Sequence, residues 1–543
     1  LIKTIIIMKK LFFFACLFAV AQYSAAQVTF TPQSAGTNYT DRGIVDMNGD
    51  GLDDILSVNN SNIQVLYQQE DGSFIESIVA TEFADNSPSW SLAAADYDRN
   101  GFTDLLYGGG NGVTFMRANN DGTAYTEISG PEYVFSQRSN FVDINNDGHL
   151  DAYVCHDVEP SVFYINDGEG NLEYFQGGLG DYPSGGHYGS VWLDFDNDRD
   201  VDMFIAKCGG ESERRDNEMH VNNGDGTFTE SGASLNLEDD MQTWSSAWAD
   251  YDNDGDLDGW IGASTFNSGF HRLMRNNGNG TFTDVISASG LTEFNVTSIE
   301  NQTYDFDNDG YADIVSGGVI LYGNGDLTFT ISSTNIGNGG FGDINEDGFV
   351  DAISNGQLII NNTNNNNWLK INTVGVESNL GGIGARVELS SASGTQIREV
   401  RSGEGFRNMS TLNTHFGLGQ DTEITSVTIY WPSGIVDIFE DLDINMTHKL
   451  VEGNSVLNTG DFLTNDISIF PVPALDNLTV SNIEDIEDPI YTVFDITGRK
   501  VMHGRLLRNN INISQLTSGQ YILRIAGQKL RRNNVKAIKF TKR

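Results

Sequence analysis

The chain has 543 residues, too many for one ordinary domain, and its 60 glycines, with frequent Asn-Gly and Asp-Gly pairs, point to short strands joined by tight turns rather than to helices. Its 75 acidic and 31 basic residues give a net charge of -44, which excludes a nucleic-acid partner because phosphate would be repelled, and which favours cations. An apolar content of 39% suffices for packed cores and speaks against wholesale disorder.

Residues 1–26 read as a secretory leader, with Lys9 and Lys10 as its charged part, Leu11 to Ala21 as its apolar part, and Ser24-Ala25-Ala26 before the cleavage point at Gln27. Met8 is the expected true start. The apolar run is too short to span a bilayer, so no transmembrane segment is expected. Past the leader only Cys155 and Cys208 remain, and the sequence leaves their pairing open.

Residues 27–362 repeat a nine-residue acidic phrase seven times. Oxygen donors fall at positions one, three, five and nine, and a backbone carbonyl is available at seven. The first copy offers Asp46, Asn48, Asp50, Leu52 and Asp54; the second Asp96, Asp98, Asn100, Phe102 and Asp104; the third Asp143, Asn145, Asp147, His149 and Asp151. The fourth offers Asp194, Asp196, Asp198, Asp200 and Asp202; the fifth Asp250, Asp252, Asp254, Asp256 and Asp258. Asp305, Asp307, Asp309, Tyr311 and Asp313 form the sixth, and Asp343, Asn345, Asp347, Phe349 and Asp351 the seventh. First aspartates stand 50, 47, 51, 56, 55 and 38 residues apart, about the length of a four-stranded blade. The fold class expected is all-β: a seven-bladed β-propeller, then a small β-sandwich or barrel, then an Ig-like terminal domain.

Hard oxygens at this spacing suit calcium, which takes six to eight of them; magnesium demands a strict octahedron, and zinc would need His or Cys. Up to seven Ca2+ ions are therefore expected. Position six is glycine except for Arg199, where the loop is expected to bind more weakly or to pair Arg199 with the added Asp200. Position two is always apolar or aromatic and should point into the blade.

After the Asn-rich stretch 361–367, residues 368–453 change pattern, with Gly382-Ile-Gly-Ala-Arg-Val-Glu-Leu389, His415-Phe-Gly-Leu-Gly419 and Val427-Thr-Ile-Tyr-Trp-Pro-Ser-Gly434. This string resembles the ASPIC and UnbV domain. Its place after the acidic repeats resembles the cartilage acidic protein family, and the repeats themselves resemble the FG-GAP or VCBS type of integrin propellers. That resemblance implies calcium in the loops and extracellular residence. A linker is expected at 454–465. From 466 to 543, Ile469-Phe-Pro-Val-Pro473 and Tyr491-Thr-Val-Phe-Asp-Ile-Thr-Gly-Arg-Lys500 resemble a type A sorting domain of the type IX secretion system, although Val472 stands where Asn is usual. The implication is export from a Gram-negative bacterium, with the secretion machinery as one partner.

Outside the acidic loops no dedicated catalytic constellation stands out. His156, His187, His220 and His271 read as strand or surface residues, and Glu211 to Glu218 as a solvated charged insertion. Among the tryptophans, Trp192, Trp244, Trp248 and Trp260 read as core, and Trp90 as the exception that could stack on a sugar. The leading expectation is an adhesion or ligand-binding module for an extracellular glycan or protein. A calcium-dependent polysaccharide lyase or hydrolase and a structural calcium-storing surface-layer component are the alternatives.

Overall fold

The structure, a computed structural model, describes residues 28–454 and, further on, 468–470, 474–481, 490–495, 499–506, 509–526 and 535–543. The leader, the 454–465 linker past its first residue, and Val472 lie outside the described residues. The two cysteines, Cys155 and Cys208, are unpaired and buried.

Seven four-stranded antiparallel sheets occur in residues 28–361. Six are plain meanders, spanning residues 40–80, 91–129, 136–176, 187–230, 243–284 and 301–335. The seventh explains the short final spacing. It takes Gly340–Gly342, Asp351–Ser354 and Gln357–Asn361 from the end of the repeat region and borrows its outer strand, Phe30–Ser34, from the beginning. Phe30 pairs with Asn361 and Ser34 with Gln357, so the ring is closed by hydrogen bonds rather than by packing alone. The inner strands are largely buried, wholly so in Ser91–Ala95 and Ser136–Val142, because each sheet is covered on both faces by its neighbours.

Residues 367–451 form a second β unit, with a three-stranded sheet (Asn367–Val374, Thr414–Gly419, Thr447–Val451) facing a four-stranded one (Arg386–Ser391, Gly394–Glu399, Ile424–Tyr430, Val436–Phe439). Its core is not separate. Leu369, Val387, Ile429 and Trp431 belong to the same buried cluster as Tyr97, Phe115 and Phe141 of the ring.

The reason is a long hairpin. Between Glu399 and Thr414 the chain leaves the second unit, enters the axial channel of the ring and returns. On the way in, Ser402 bridges Phe141 and the carbonyls of Ser402 and Gly403 accept from Asn140 Nδ2 at 2.9 Å. At the far end the buried Phe406 N–H donates to Glu300 Oε2 at 2.8 Å. On the way out, Met409 bridges Gly43, Ser410 Oγ donates to Gln302 Oε1 at 2.8 Å, and Thr411 N–H donates to Phe341 O. Buried backbone must find partners, and here five sheets of the ring supply them, while the Arg401 side chain reaches Trp248 O of a sixth.

The terminal unit is a two-sheet sandwich of its own. Ser468–Phe470, Asn477–Ser481 and Asn510–Asn512 oppose the sheet of Ile490–Asp495, Lys500–Arg505, Gly519–Ala526 and Val535–Lys542, around Leu478, Val493, Ile511 and Leu523.

Candidate metal centres beneath the docked module

Each acidic phrase joins the first and second strands of a sheet, so all seven loops lie at one face of the ring. The loop geometry is repeated closely. Position two is buried in every copy: Met47, Tyr97, Ile144, Phe195, Tyr251, Phe306 and Ile344. Position six is left-handed in every copy, from φ 78° at Gly348 to φ 101° at Gly255, and Arg199 adopts φ 80° despite its Cβ. Position four is left-handed as well, at Gly49, Arg99, Asn146, Asn197, Asn253, Asn308 and Glu346. The sequence carried a signal for that second reversal, since asparagine tolerates positive φ and fills four of the seven places.

Hydrogen bonds then aim the carboxylates. In six copies the position-one aspartate accepts from the position-six N–H, for example Asp46 from Gly51 at 2.7 Å. In all seven the position-five side chain accepts from the position-seven N–H. The position-nine aspartate ties the loop to the blade. One oxygen accepts from the position-two N–H and the other from an N–H on the third strand, as Asp258 does with Tyr251 at 3.4 Å and Asn276 at 2.8 Å. The same pair of bonds holds Asp54, Asp104, Asp151, Asp202, Asp313 and Asp351. Asn276 Nδ2 also donates to Phe195 O, and Asn361 Nδ2 to Phe306 O, so the recurring asparagine phrases stitch one sheet to the next.

The donors converge where position three is aspartate. Carboxylate oxygens of Asp96, Asp98 and Asp104 lie within 4.8 Å of one another, as do those of Asp194, Asp196 and Asp202, of Asp250, Asp252 and Asp254, and of Asp305, Asp307 and Asp313. In the other copies Asn48, Asn145 and Asn345 hold that place. Burial, reinforced by repulsion between these neighbours, pushes Asp104 up to about 8 and Asp202 and Asp258 up to about 9. Several buried oxygens, namely Asp252 Oδ1, Asp307 Oδ1 and both of Asp194, have no hydrogen-bond partner. Orphaned hard oxygens in an electronegative pocket are what a divalent cation would satisfy, and the donor set fits calcium.

Two loops carry cations of their own. In the fourth, Arg199 sits 3.6 Å from Asp194 Oδ2 and 3.6 Å from Glu388, with its guanidinium 3.9 Å above the Tyr430 ring. It therefore pairs with Asp194 and the second unit, not with Asp200. The reason is the module docked on this face, whose Arg386 donates to Asn197 and Gly255 O of the fourth and fifth loops. In the seventh, the buried Lys370 ammonium lies 3.0 Å from Asp343 and 2.5 Å from Glu346. Arg99 of the second loop reaches Val376 O at 2.8 Å, and Asn413 reaches Gly51 O of the first at 3.2 Å. The module thus roofs the acidic face.

Other expectations are corrected. Glu211–Glu218 is solvated only at its start: Glu211, Ser212 and Glu213 are exposed, but Ser212–Arg215 is a short helix, Arg214 bonds Asp157 and Cys208 O, and Glu218 is largely enclosed. His156, His187, His220 and His271 are all buried. Glu218 is met by His220 at 2.8 Å, by His187 at 3.5 Å and by Lys207 at 2.5 Å, so a long-range cluster forms that strand spacing alone does not disclose. Although burial alone would raise Glu218, these three partners hold it well below its ordinary value. Trp192, Trp248 and Trp260 are core, whereas Trp244 is half-buried, like Trp90.

Comparison with known families matches residues 46–316, in five overlapping or adjacent segments, to the FG-GAP-like repeat, residues 375–457 to ASPIC and UnbV, and residues 468–539 to the secretion system C-terminal sorting domain. Cartilage acidic protein 1 of Homo sapiens is 30% identical over 261 residues, covering 41% of this chain and 38% of the human protein. That of Xenopus tropicalis is 27% identical over 287 residues, covering 46% and 42%. The chain spans about two-fifths of the length of these curated relatives. Among solved structures, an Agrocybe aegerita lectin described as recognising non-reducing terminal N-acetylglucosamine aligns with a TM-score of 0.40 at 20% identity, over 56% of this chain and 80% of the lectin. The extracellular domain of a hybrid two-component system of B. thetaiotaomicron aligns at 0.38 and 11% identity, over 95% and 58%. No helix among the described residues is long and apolar enough to cross a membrane.

Proposed function

We propose that this chain of FG-GAP-like repeats, an ASPIC and UnbV domain and a secretion sorting domain is a calcium-braced, non-catalytic binding module. The sorting domain marks it for type IX secretion, so the protein is released or held at the outer surface of a Gram-negative bacterium, and the secretion machinery is one partner. The partner bound at its destination is an extracellular glycan or protein.

The observation that carries this reading is the roofed ring of acidic loops. Calcium at Asp46–Asp54 and its six counterparts would neutralise carboxylates that burial and mutual repulsion otherwise leave poorly ionised, and would stiffen the seam between ring and module. The protein's own residues set the frame: position nine anchors, position six turns, and position two packs. A frame stiffened in this way presents its loops with little entropic cost on binding.

A polysaccharide-active enzyme would need an accessible acid and base. Outside the loops Glu218 gathers two histidines and a lysine, but His187 is fully enclosed, so the cluster favours a structural role. The deciding experiment is a glycan and protein array probed with native protein, calcium-loaded and chelated, alongside a polysaccharide panel assayed for chain cleavage. Calcium-dependent capture without cleavage is expected; depolymerisation overturns the non-catalytic reading.

A further inference from the structure

The far mouth of the channel is built differently from the acidic face. Each inner strand runs from this mouth to its acidic loop, so residues at strand starts lie about 20 Å from the carboxylates for a strand of this length. Trp90 precedes Ser91–Ala95, Phe135 precedes Ser136–Val142, and Tyr188 and Trp244 are the second residues of His187–Leu193 and Thr243–Ala249. Four consecutive sheets thus place an aromatic ring at the same level.

The hairpin tip fills the centre of that arc. Phe406 lies 4.9 Å from Trp244, 6.3 Å from Tyr188 and 6.5 Å from Trp90, between ring centroids, and Tyr188 is 4.9 Å from Trp244. Phe406 is completely buried, whereas the four outer rings remain partly open to solvent. Part-exposed, rigidly held aromatic faces are suited to the apolar faces of sugar rings, and they lose little freedom on binding.

The next hairpin residue adds charge. Arg407, partly exposed, donates its backbone N–H to Glu300, and two residues on Met409 donates its N–H to the carbonyl of Arg42, the third residue of Thr40–Val45, which brings the two arginines to the same mouth. The Nε atoms of both arginines are buried without a hydrogen-bond partner. Repulsion from Arg407 adds to burial in pulling Arg42 down to about 10. Beneath the tip, the fully buried Arg138 spends Nη1 on the carbonyls of Phe406 and Asn408 and leaves Nε and Nη2 unpaired. The carboxylates near this group are Glu300 and Glu404, which both act on Arg138, and Asp41, which flanks Arg42. Guanidinium groups crowded together with unmade bonds, in a chain of net charge -44, call for an external anion.

We infer that this mouth is a binding site for an acidic saccharide, whose rings stack on Trp90, Tyr188 and Trp244 while its carboxylate or sulfate is held by Arg42 and Arg407. The inference rests on the binding-module reading and names both the face and the ligand class. Neutral sugars would gain only the stacking, and the acidic loops, on the opposite face, would repel the same ligand.

The test uses the full calcium-loaded chain and isothermal titration with an oligoglucuronate, a sulfated oligosaccharide and a neutral oligoglucan of equal length. The anionic probes are expected to bind at least about tenfold more tightly than the neutral one, with affinity falling as salt is added. Which anion binds more tightly identifies the ligand's charged group. Arg407→Gln and Arg42→Gln should each lose about tenfold on the anionic probes and nothing on the neutral one, and Arg407→Lys should fall between. Trp244→Leu should weaken all three probes. Melting curves of each variant separate loss of site from loss of fold, and the salt dependence of the unaltered chain needs no variant. Equal affinity for charged and neutral probes, or unchanged affinity in both arginine variants, overturns the inference. An array ligand whose capture ignores these variants overturns the mouth while leaving the binding module intact; an array blank with and without calcium overturns both.

Discussion

Lys370 brings its ammonium within 3.0 Å of Asp343 Oδ2, so a residue of the second unit supplies a cation to the seventh acidic loop of the ring. Asp53 and Glu346 share the same charge, and their fields, together with Asp343, raise Lys370 well above its ordinary value against the burial that would lower it. Replacing Lys370 by Met would leave buried carboxylates without their counterion. The expected loss is about 3–5 kcal/mol of stability, read as a lowered urea midpoint. Adding Asp53→Asn should recover part of it, and an unchanged midpoint would show that the pair adds nothing.

Removal of calcium should couple stability to pH. Asp104, Asp151, Asp202 and Asp258 are raised from an ordinary 3.8 to about 8, 7, 9 and 9 respectively. Without metal, the stability these raised values contribute is fully present below pH 3.8 and is lost as pH rises through about 7–9. Chelated protein should therefore melt at a lower temperature at about pH 9 than at about pH 6.5, and calcium should reverse the order because it needs the ionised carboxylates. A melting temperature that ignores chelator at the higher pH would refute calcium in the loops.

At the fourth loop, Arg199→Gly should relieve the positive φ of a residue with a Cβ, worth about 1–2 kcal/mol, and withdraw a competing cation from Asp194. Calcium titration should show that loop tightening by about tenfold. Weaker binding after the change would mean that the guanidinium supports the ion rather than replacing it.

The hairpin makes ring and module one cooperative body. Phe406→Ala would empty a site enclosed by Trp90, Tyr188 and Trp244 and should cost about 3–5 kcal/mol. Calorimetry should find one transition for residues 28–454 in the parent protein and a broadened or split one in the variant. A sharp, unmoved transition would show that the tip is not needed.

The acidic loops were legible because their information is local: donor spacing, the glycine at position six and the apolar residue at position two each act within nine residues. The sheets followed from the spacing of those loops. What was hidden depends on distant partners. Nothing near Phe406 announces that it meets Trp90 and Trp244, nothing near Lys370 names Asp343, and His187, Lys207 and Glu218 converge only once three strands are side by side. Position four lay within reach, since Asn146, Asn197, Asn253 and Asn308 share the residue type that tolerates the turn they make.

The strand borrowed from Phe30–Ser34 sets an order of events during biogenesis. Thr31 and Asn362 meet although they stand 331 positions apart in the sequence, so the first strand of the ring to emerge must wait, unlatched, until nearly the whole circle has been synthesised. Until then its partner edge, Gln357–Asn361, is an open template for a neighbouring polypeptide, and the protein is most exposed to mispairing in the interval before the latch falls.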